Sequence, residues 1–387
     1  MMEHLINPQV QSIQISGIRK FFNRVIHYPD AISLTIGQPD FPTPEHIKNS
    51  GKTAIETNRT TYTPNAGLPE LRQAAADFLS TKYGLVYRAE DEIITTNGAS
   101  EAIDITLRTI LTEGCEVILP GPVYPGYEPI ITLCGATPVH VDTTSTHFKL
   151  SASLIEQHLT AKTRCIILPY PSNPTGVTLS RSDLEEIAEL LKDKPIFVVS
   201  DEIYSELVFE GRHESIASIP SMREKTIVIN GLSKSHSMTG WRIGFTFAPA
   251  YLTGQMLKVH QYNATCASSI SQYAAIEALT NGINDAAIMR DEYRKRRDYV
   301  MERLEKMGLP AVKPNGAFYL FPSIKNFNMP SFDFALSLLE KERVAIVPGD
   351  AFSAHGEGFI RISYAYSMEI LEEGLNRLES FITTLNA

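Results

Sequence analysis

Residues 164–204 read "RCIILPYPSNPTGVTLSRSDLEEIAELLKDKPIFVVSDEIY". The runs at 164–169 and 196–200 are short, apolar and rich in Ile and Val, with no polar alternation. That is the pattern of strands buried on both faces. Between them Leu184, Ile187, Ala188 and Leu191 fall on one face of a helix, and Ser180 with Asp183 forms a capping-box signature at its start. Strand, helix and strand in that order make one unit of an α/β sheet.

The same alternation continues on both sides. Further strand candidates are EIITT (92–96), EVILP (116–120), TPVHV (137–141), TIVIN (226–230) and RIGFTF (242–247). Together they predict an α/β protein whose large domain is a mostly parallel seven-stranded sheet sandwiched by helices. After residue 280 the pattern changes. A charged helix at 291–309 is followed by a strand in GAFYLFP (316–322), a helix in SFDFALSLLEKE (331–342), strands in VAIVPG (344–349) and FIRISYA (359–365), and a terminal helix. The expected organisation is an N-terminal segment (1–45) packing with the small domain and the cleft, a large domain (46–280) and a smaller α+β domain (281–387).

A net charge of −9 with no Lys/Arg block argues against nucleic acid as a partner. The start, MMEHLINPQV, has neither the basic nor the apolar part of an export signal, and the longest apolar runs are of strand length. A cytoplasmic protein with no membrane association is expected. Cys115, Cys134, Cys165 and Cys266 lie far apart and read as small buried hydrophobes, and the scattered histidines give no metal-ligand spacing.

Open α/β sheets bind ligands beyond the carboxyl ends of their strands. After 92–96 comes NGASEAI, where Gly98, Ala99 and Ser100 open a helix: a phosphate cradle or an ordinary turn. After 164–169 comes YPSNPTG, a constrained turn carrying Asn173. Asp201 ends the next strand with Tyr204 three residues on, either a buried acid or a helix cap. After 226–230 comes GLSKSHSMTGWRIG (231–244), with Ser233, Lys234 and Arg242. A Schiff-base lysine must lose its proton near neutral pH, and an electron-storing pyridine needs a carboxylate beside its ring nitrogen. A lysine, a buried acid and a phosphate cradle are together what pyridoxal 5′-phosphate requires.

These segments, with SLTIGQPDF (33–41), YTPNAGLPELR (62–72) and GFIRISYA (358–365), resemble the class I/II aminotransferases, pyridoxal-phosphate enzymes of fold type I, over nearly the whole chain. The resemblance implies that Lys234 bonds the cofactor aldehyde and shuttles the proton, and that Asp201 pairs with the ring nitrogen. Tyr204 and Asn173 would reach the 3′-oxygen, and Tyr124 would stack on the ring. Gly98, Ala99, Ser100, Ser233 and Arg242 would hold the phosphate. It further implies that Arg361 binds the substrate α-carboxylate, with Asn173 and the Gly37 backbone alongside, and that Tyr62 reaches the phosphate of a partner subunit in a homodimer with shared sites. From residues alone Arg361 could instead form a surface salt bridge, and Tyr62 could be a core tyrosine.

The likeness is especially close to bacterial aminotransferases acting on N-acetyl-L,L-diaminopimelate, implying exchange with 2-oxoglutarate in lysine biosynthesis. Alternatives are an aromatic or broad-specificity aminotransferase, or a β-lyase on the same fold. A ligand-sensing module behind a DNA-binding domain lacks room before SLTIGQPDF, and a Ser–Lys hydrolase built on SKSHS leaves Asp201 and Tyr204 without a role. A dicarboxylic substrate needs a second cation. Arg19 and Lys20, in SGIRKFF, are either that cation or solvated helix residues, with Gly17 and Ile18 as possible pocket walls.

Overall fold

The computed structural model describes residues 2–385; Met1, Asn386 and Ala387, which fall in the expected N-terminal and small-domain segments, lie outside the described residues. All seven strands expected between residues 92 and 247 form one sheet. Its order is Ile93–Thr96, Gly244–Phe247, Thr226–Gly231, Phe197–Asp201, Thr163–Leu168, Glu116–Gly121 and Thr137–Asp142. Every pairing is parallel except the two made by Gly244–Phe247, which runs against both neighbours. Both faces are covered. Val228 packs with Leu71 and Phe78 on one side, whereas Ile227 and Ile229 pack with Ile105, Leu252 and Met256 on the other. This explains why the strand is apolar at successive positions.

The helix Arg181–Leu191 shows how local sequence fixes an element. Ser180 Oγ accepts from the Asp183 N–H at 3.2 Å, and the Asp183 carboxylate accepts from the Ser180 N–H at 2.7 Å. These bonds satisfy backbone groups that a helix start leaves open. Leu184, Ile187, Ala188 and Leu191 are the buried residues of this helix.

Beyond the large sheet, Val347–Pro348, Ile360–Ser363 and Tyr319–Leu320 form an antiparallel sheet with Ile360–Ser363 in the middle. The helices Ala286–Lys306, Ser331–Glu342 and Met368–Leu385 supply its apolar cover through Val300, Leu304, Leu338, Leu339, Leu375 and Leu378. The N-terminal segment joins this part of the molecule. Ile32–Ser33 pairs in parallel with Val344–Ala345, and the helix Gly17–Val25 buries Phe21 and Val25. Cys115 and Cys165 are buried as expected, whereas Cys134 and Cys266 are partly exposed, and all four are free thiols. No helix among the described residues is long and apolar enough to cross a membrane.

Ser180→Ala should lower unfolding free energy by about 1 kcal/mol, and Ile187→Ala by about 2–5 kcal/mol, because a cap and a core side chain differ by that much. Denaturant midpoints for the two variants check this order.

Candidate active site

The sheet order brings the chemistry together. The strands 226–231, 197–201 and 163–168 are neighbours and parallel, so their carboxyl ends open side by side. Asp201 is the last residue of its strand, Lys234 sits in the short helix Leu232–Ser235 directly after the next, and Asn173 lies in the turn after the third. The helix Gly98–Ile110 starts at the same edge, and the middle strand of the small sheet contributes Arg361 from the other side. These groups line a cavity of about 700 Å³ with Gly37, Ala99, Ser100, Tyr124, Tyr127, Tyr204, Ser233, Arg242 and Tyr319. Tyr62 lies elsewhere, 86% exposed, so it is no core tyrosine. Gly98 stands at the helix start behind Arg242.

Charge is unusually dense in this cavity. Asp201 is buried and accepts from the Tyr127 hydroxyl at 2.6 Å and from the Ile203 N–H at 3.2 Å. The residues after it form a turn, so Asp201 is not a helix cap. Burial lifts its carboxyl above the ordinary carboxylate range, and the Tyr127 bond works against that rise. Burial and the adjoining carboxylate hold the Tyr127 phenol protonated, so it is the donor. Lys234 donates to the Gly37 carbonyl at 2.5 Å. Its ammonium is pushed down to about 8 by burial and then by the Arg361 and Arg242 charges, with Asp201 opposing them.

Arg361 is only 2% exposed and has no carboxylate partner among the described residues. A surface salt bridge is therefore excluded. Its guanidinium donates to Asn173 Oδ1 at 2.9 Å and to the Thr35 carbonyl at 2.5 Å, while Nε has no partner among the described residues. The rings of Tyr319 and Phe352 lie 4.5 and 5.0 Å from it. A buried cation held only by neutral groups is a receptor for an anion. Tyr204 shares a 2.8 Å hydrogen bond with the Tyr319 hydroxyl.

The anion-binding character of the helix start rests on close backbone approach. Gly98 has φ +77°, and a Cβ there would collide with the Arg242 guanidinium. A Cβ on Gly244 would lie 2.5 Å from the Gly98 carbonyl carbon and 2.6 Å from the Ala99 nitrogen. The first N–H groups of a helix have no intrahelical partner, so Ala99 and Ser100 present donors beside Ser233 and Arg242. Lysine, carboxylate and this cradle on one cavity fit the aldehyde, ring nitrogen and phosphate of pyridoxal 5′-phosphate. Glu101 braces the cradle from beneath. Its carboxylate accepts from the Asn97 N–H at 2.6 Å, from Asn97 Nδ2 at 2.9 Å and contacts His260 Nδ1 at 2.9 Å, while the Asn97 carbonyl accepts from Arg242 Nη2 at 3.3 Å.

Sequence reading misses Tyr127, Tyr319, Thr35 and the buried Glu101–His260 pair. Tyr127 carries a faint signal, since it is the second tyrosine of GPVYPGY (121–127) and opens its own helix. The others carry none, because their partners are remote in the chain.

Comparison with known proteins follows the same lines. The family profile described as aminotransferase class I and II matches residues 29–378. A protein of Bacillus subtilis (strain 168) named "Probable N-acetyl-LL-diaminopimelate aminotransferase" is 63% identical over 381 residues, covering 98% of this chain and 96% of its own. The "Aspartate aminotransferase" of Pyrococcus abyssi (strain GE5 / Orsay) is 43% identical over 382 residues, covering 98% and 96%. The crystal structure of the aromatic aminotransferase from Pyrococcus horikoshii OT3 superposes with a TM-score of 0.90 at 43% identity, covering 94% of this chain and 99% of that one.

The charge arrangement makes a measurable claim about Lys234. In cofactor-free protein, labelling of Lys234 by acetic anhydride should rise with a midpoint near pH 8, against about 10.4 for an unperturbed lysine. Arg361→Gln removes a cation that disfavours the ammonium, so the midpoint should move up; Asp201→Asn should move it down. Mass-spectrometric peptide mapping across pH reads both shifts.

Proposed function

This chain belongs to the class I and II aminotransferases, and we propose that it moves the amino group of N-acetyl-L,L-diaminopimelate to 2-oxoglutarate, with pyridoxal 5′-phosphate as cofactor. The observation that carries the reading is the meeting of Lys234, Asp201, Arg361 and the Gly98–Ile110 helix start on one cavity. The 63% identity to the Bacillus subtilis protein supports the choice of substrate. The aspartate and aromatic aminotransferases at lower identity support a second reading, transamination of those amino acids by the same residues.

The placement of these residues supports the following roles. When bound, the cofactor supplies an aldehyde and an electron-accepting ring. Ala99, Ser100, Ser233 and Arg242 would hold its phosphate, Tyr124 its ring face, Asp201 its ring nitrogen, and Tyr204 with Asn173 its 3′-oxygen. Arg361 grips the substrate α-carboxylate with its planar fork, turning the Cα–H bond towards Lys234. Lys234 Nζ, in the neutral form that a lowering to about 8 makes accessible, accepts the Cα proton and holds it as the ammonium. Gly37 would set its backbone against the substrate; it packs closely on Tyr319, where a Cβ would sit 2.7 Å from the hydroxyl.

The same reading includes a cytoplasmic homodimer in which the exposed Tyr62 completes the partner's phosphate site. Residues 1–45 would belong with the small domain that begins at 281, against the large domain of 46–280.

Purified enzyme supplied with pyridoxal phosphate, N-acetyl-L,L-diaminopimelate and 2-oxoglutarate should form glutamate, without the ammonia that a β-lyase releases. Glutamate formed from aspartate or phenylalanine but not from the acetylated diamine would replace this reading by the second. Lys234→Ala should abolish turnover while the far-ultraviolet dichroism stays native. Arg361→Lys, which loses the bidentate fork, should raise KM for amino acids by about tenfold or more.

A further inference from the structure

Asn97 stands at the N-cap of the helix Gly98–Ile110. An Asn side chain there ordinarily accepts from the second or third N–H of its helix, here Ala99 or Ser100. Asn97 makes no such bond. Its amide is turned the other way, and Nδ2 donates to a Glu101 carboxylate oxygen at 2.9 Å. The same oxygen accepts from the Asn97 backbone N–H at 2.6 Å. One oxygen therefore grips Asn97 twice, and the Ala99 and Ser100 N–H groups are left without a side-chain cap. The other Glu101 oxygen lies 2.9 Å from His260 Nδ1. Burial raises the Glu101 carboxyl, but the bonds from His260 and Asn97 outweigh it and hold the group below the ordinary carboxylate range. An ionised carboxylate only accepts, so His260 Nδ1 carries the hydrogen. His260 is completely buried in the helix Ala250–Ala264, and its Nε2 has no partner among the described residues. The polar contact of that ring is spent on Glu101.

A buried negative charge beneath an anion site weakens that site by repulsion, so charge does not account for Glu101 being there. Geometry does. Arg242 sits on a backbone in the left-handed region, φ +56°, and its guanidinium is held by two carbonyls. Nη1 donates to Thr239 at 3.0 Å and Nη2 to Asn97 at 3.3 Å. One of the two holds thus passes through the residue that Glu101 fixes. We propose that Glu101, seated on His260, is the positioning residue of the phosphate cradle. It draws the Asn97 amide off the helix start, which keeps the Ala99 and Ser100 N–H groups free for phosphate, and it aims the Asn97 carbonyl at Arg242. Neither Glu101 nor His260 lines the cavity, so both act through Asn97. This rests on the pyridoxal-phosphate reading above and adds to it the pair that sets how tightly the phosphate is held.

Absorbance titration of cofactor-free protein with pyridoxal phosphate, and with pyridoxal, separates the cradle from the rest of the site, because pyridoxal keeps the aldehyde and ring but lacks the phosphate. Glu101→Met is of similar size, and its thioether is only a weak acceptor. It should raise the dissociation constant for pyridoxal phosphate by about tenfold or more and leave that for pyridoxal within about twofold. Glu101→Gln keeps one oxygen for Asn97 and can meet His260 with its amide once the ring hydrogen moves to Nε2. It should stay within about threefold of wild type for both compounds. His260→Phe keeps a ring and removes the bond to Glu101. It should give a smaller loss confined to pyridoxal phosphate, and it carries the test if Glu101→Met does not fold. Affinity for pyridoxal phosphate that is unchanged in these two variants, or that falls in step with affinity for pyridoxal, would overturn the inference. So would Glu101→Gln binding no better than Glu101→Met. A wild-type protein that holds pyridoxal phosphate no more tightly than pyridoxal would overturn the cradle reading as well.

Discussion

An ammonium is costly to withdraw from water, and Lys234 is partly buried in a cavity that also holds two guanidinium groups and one carboxylate. Burial and the charges of Arg361 and Arg242 bring its proton affinity down to about 8, and Asp201 keeps the drop from going further. Much of the architecture serves to sustain this arrangement. Asp201 needs the Tyr127 hydroxyl and the Ile203 N–H, Arg361 needs Asn173 and the Thr35 carbonyl, and Lys234 itself leans on the Gly37 carbonyl. Each charge is compensated by neutral dipoles rather than by a close opposite charge. The set therefore stays ready to exchange those dipoles for a ligand's own groups.

That readiness explains why the site spans two bodies of packing. Asp201, Lys234 and the Gly98–Ile110 helix start belong to the large sheet, where three parallel strands fix their spacing. Arg361 belongs to the centre of the small sheet, and Gly37 and Thr35 follow the strand Ile32–Ser33 that pairs with Val344–Ala345. The two halves of the chemistry are thus carried by different cores. Under the proposed reading, the cofactor belongs to one and the grip on the substrate to the other. A substrate that touches both would bridge them, and its binding energy is available to hold them in register.

The large sheet was legible because most of its strands are covered on both faces: of the seven runs, most are apolar without alternation, and all seven pair in one sheet. Lys234, Asp201 and Asn173 were legible for a related reason. Parallel strands deliver whatever follows them to a common edge, so position in sequence becomes position in space. Contacts between distant segments have no such rule. Tyr127 meets Asp201 across 74 positions, Glu101 meets His260 across 159, and Arg361 meets Thr35 across 326. No periodicity or local motif encodes those separations. Arg19 is instructive in a different way. Sequence could name it as a cation near the cleft but could not tell it from a solvated helix residue. The structure adds that it lines both cavities and is exposed, with no side-chain partner among the described residues.

The same contrast accounts for why chemistry is easier to recognise here than substrate. The groups proposed to act on the cofactor sit at strand ends and in a buried helix start, where a shift of one residue would break several hydrogen bonds at once. Arg19, by contrast, sits exposed on a nine-residue helix held by Phe21, Val25 and the contact of Gly17 with Ala351. Replacing an exposed side chain on such a helix costs the fold little, because no buried partner is left unsatisfied. The outer cleft is therefore free to change its charge while the inner cavity keeps its own. Relatives named for aspartate and for N-acetyl-L,L-diaminopimelate are then compatible with one inner constellation, because the difference between them can be carried by residues on which the packing does not depend.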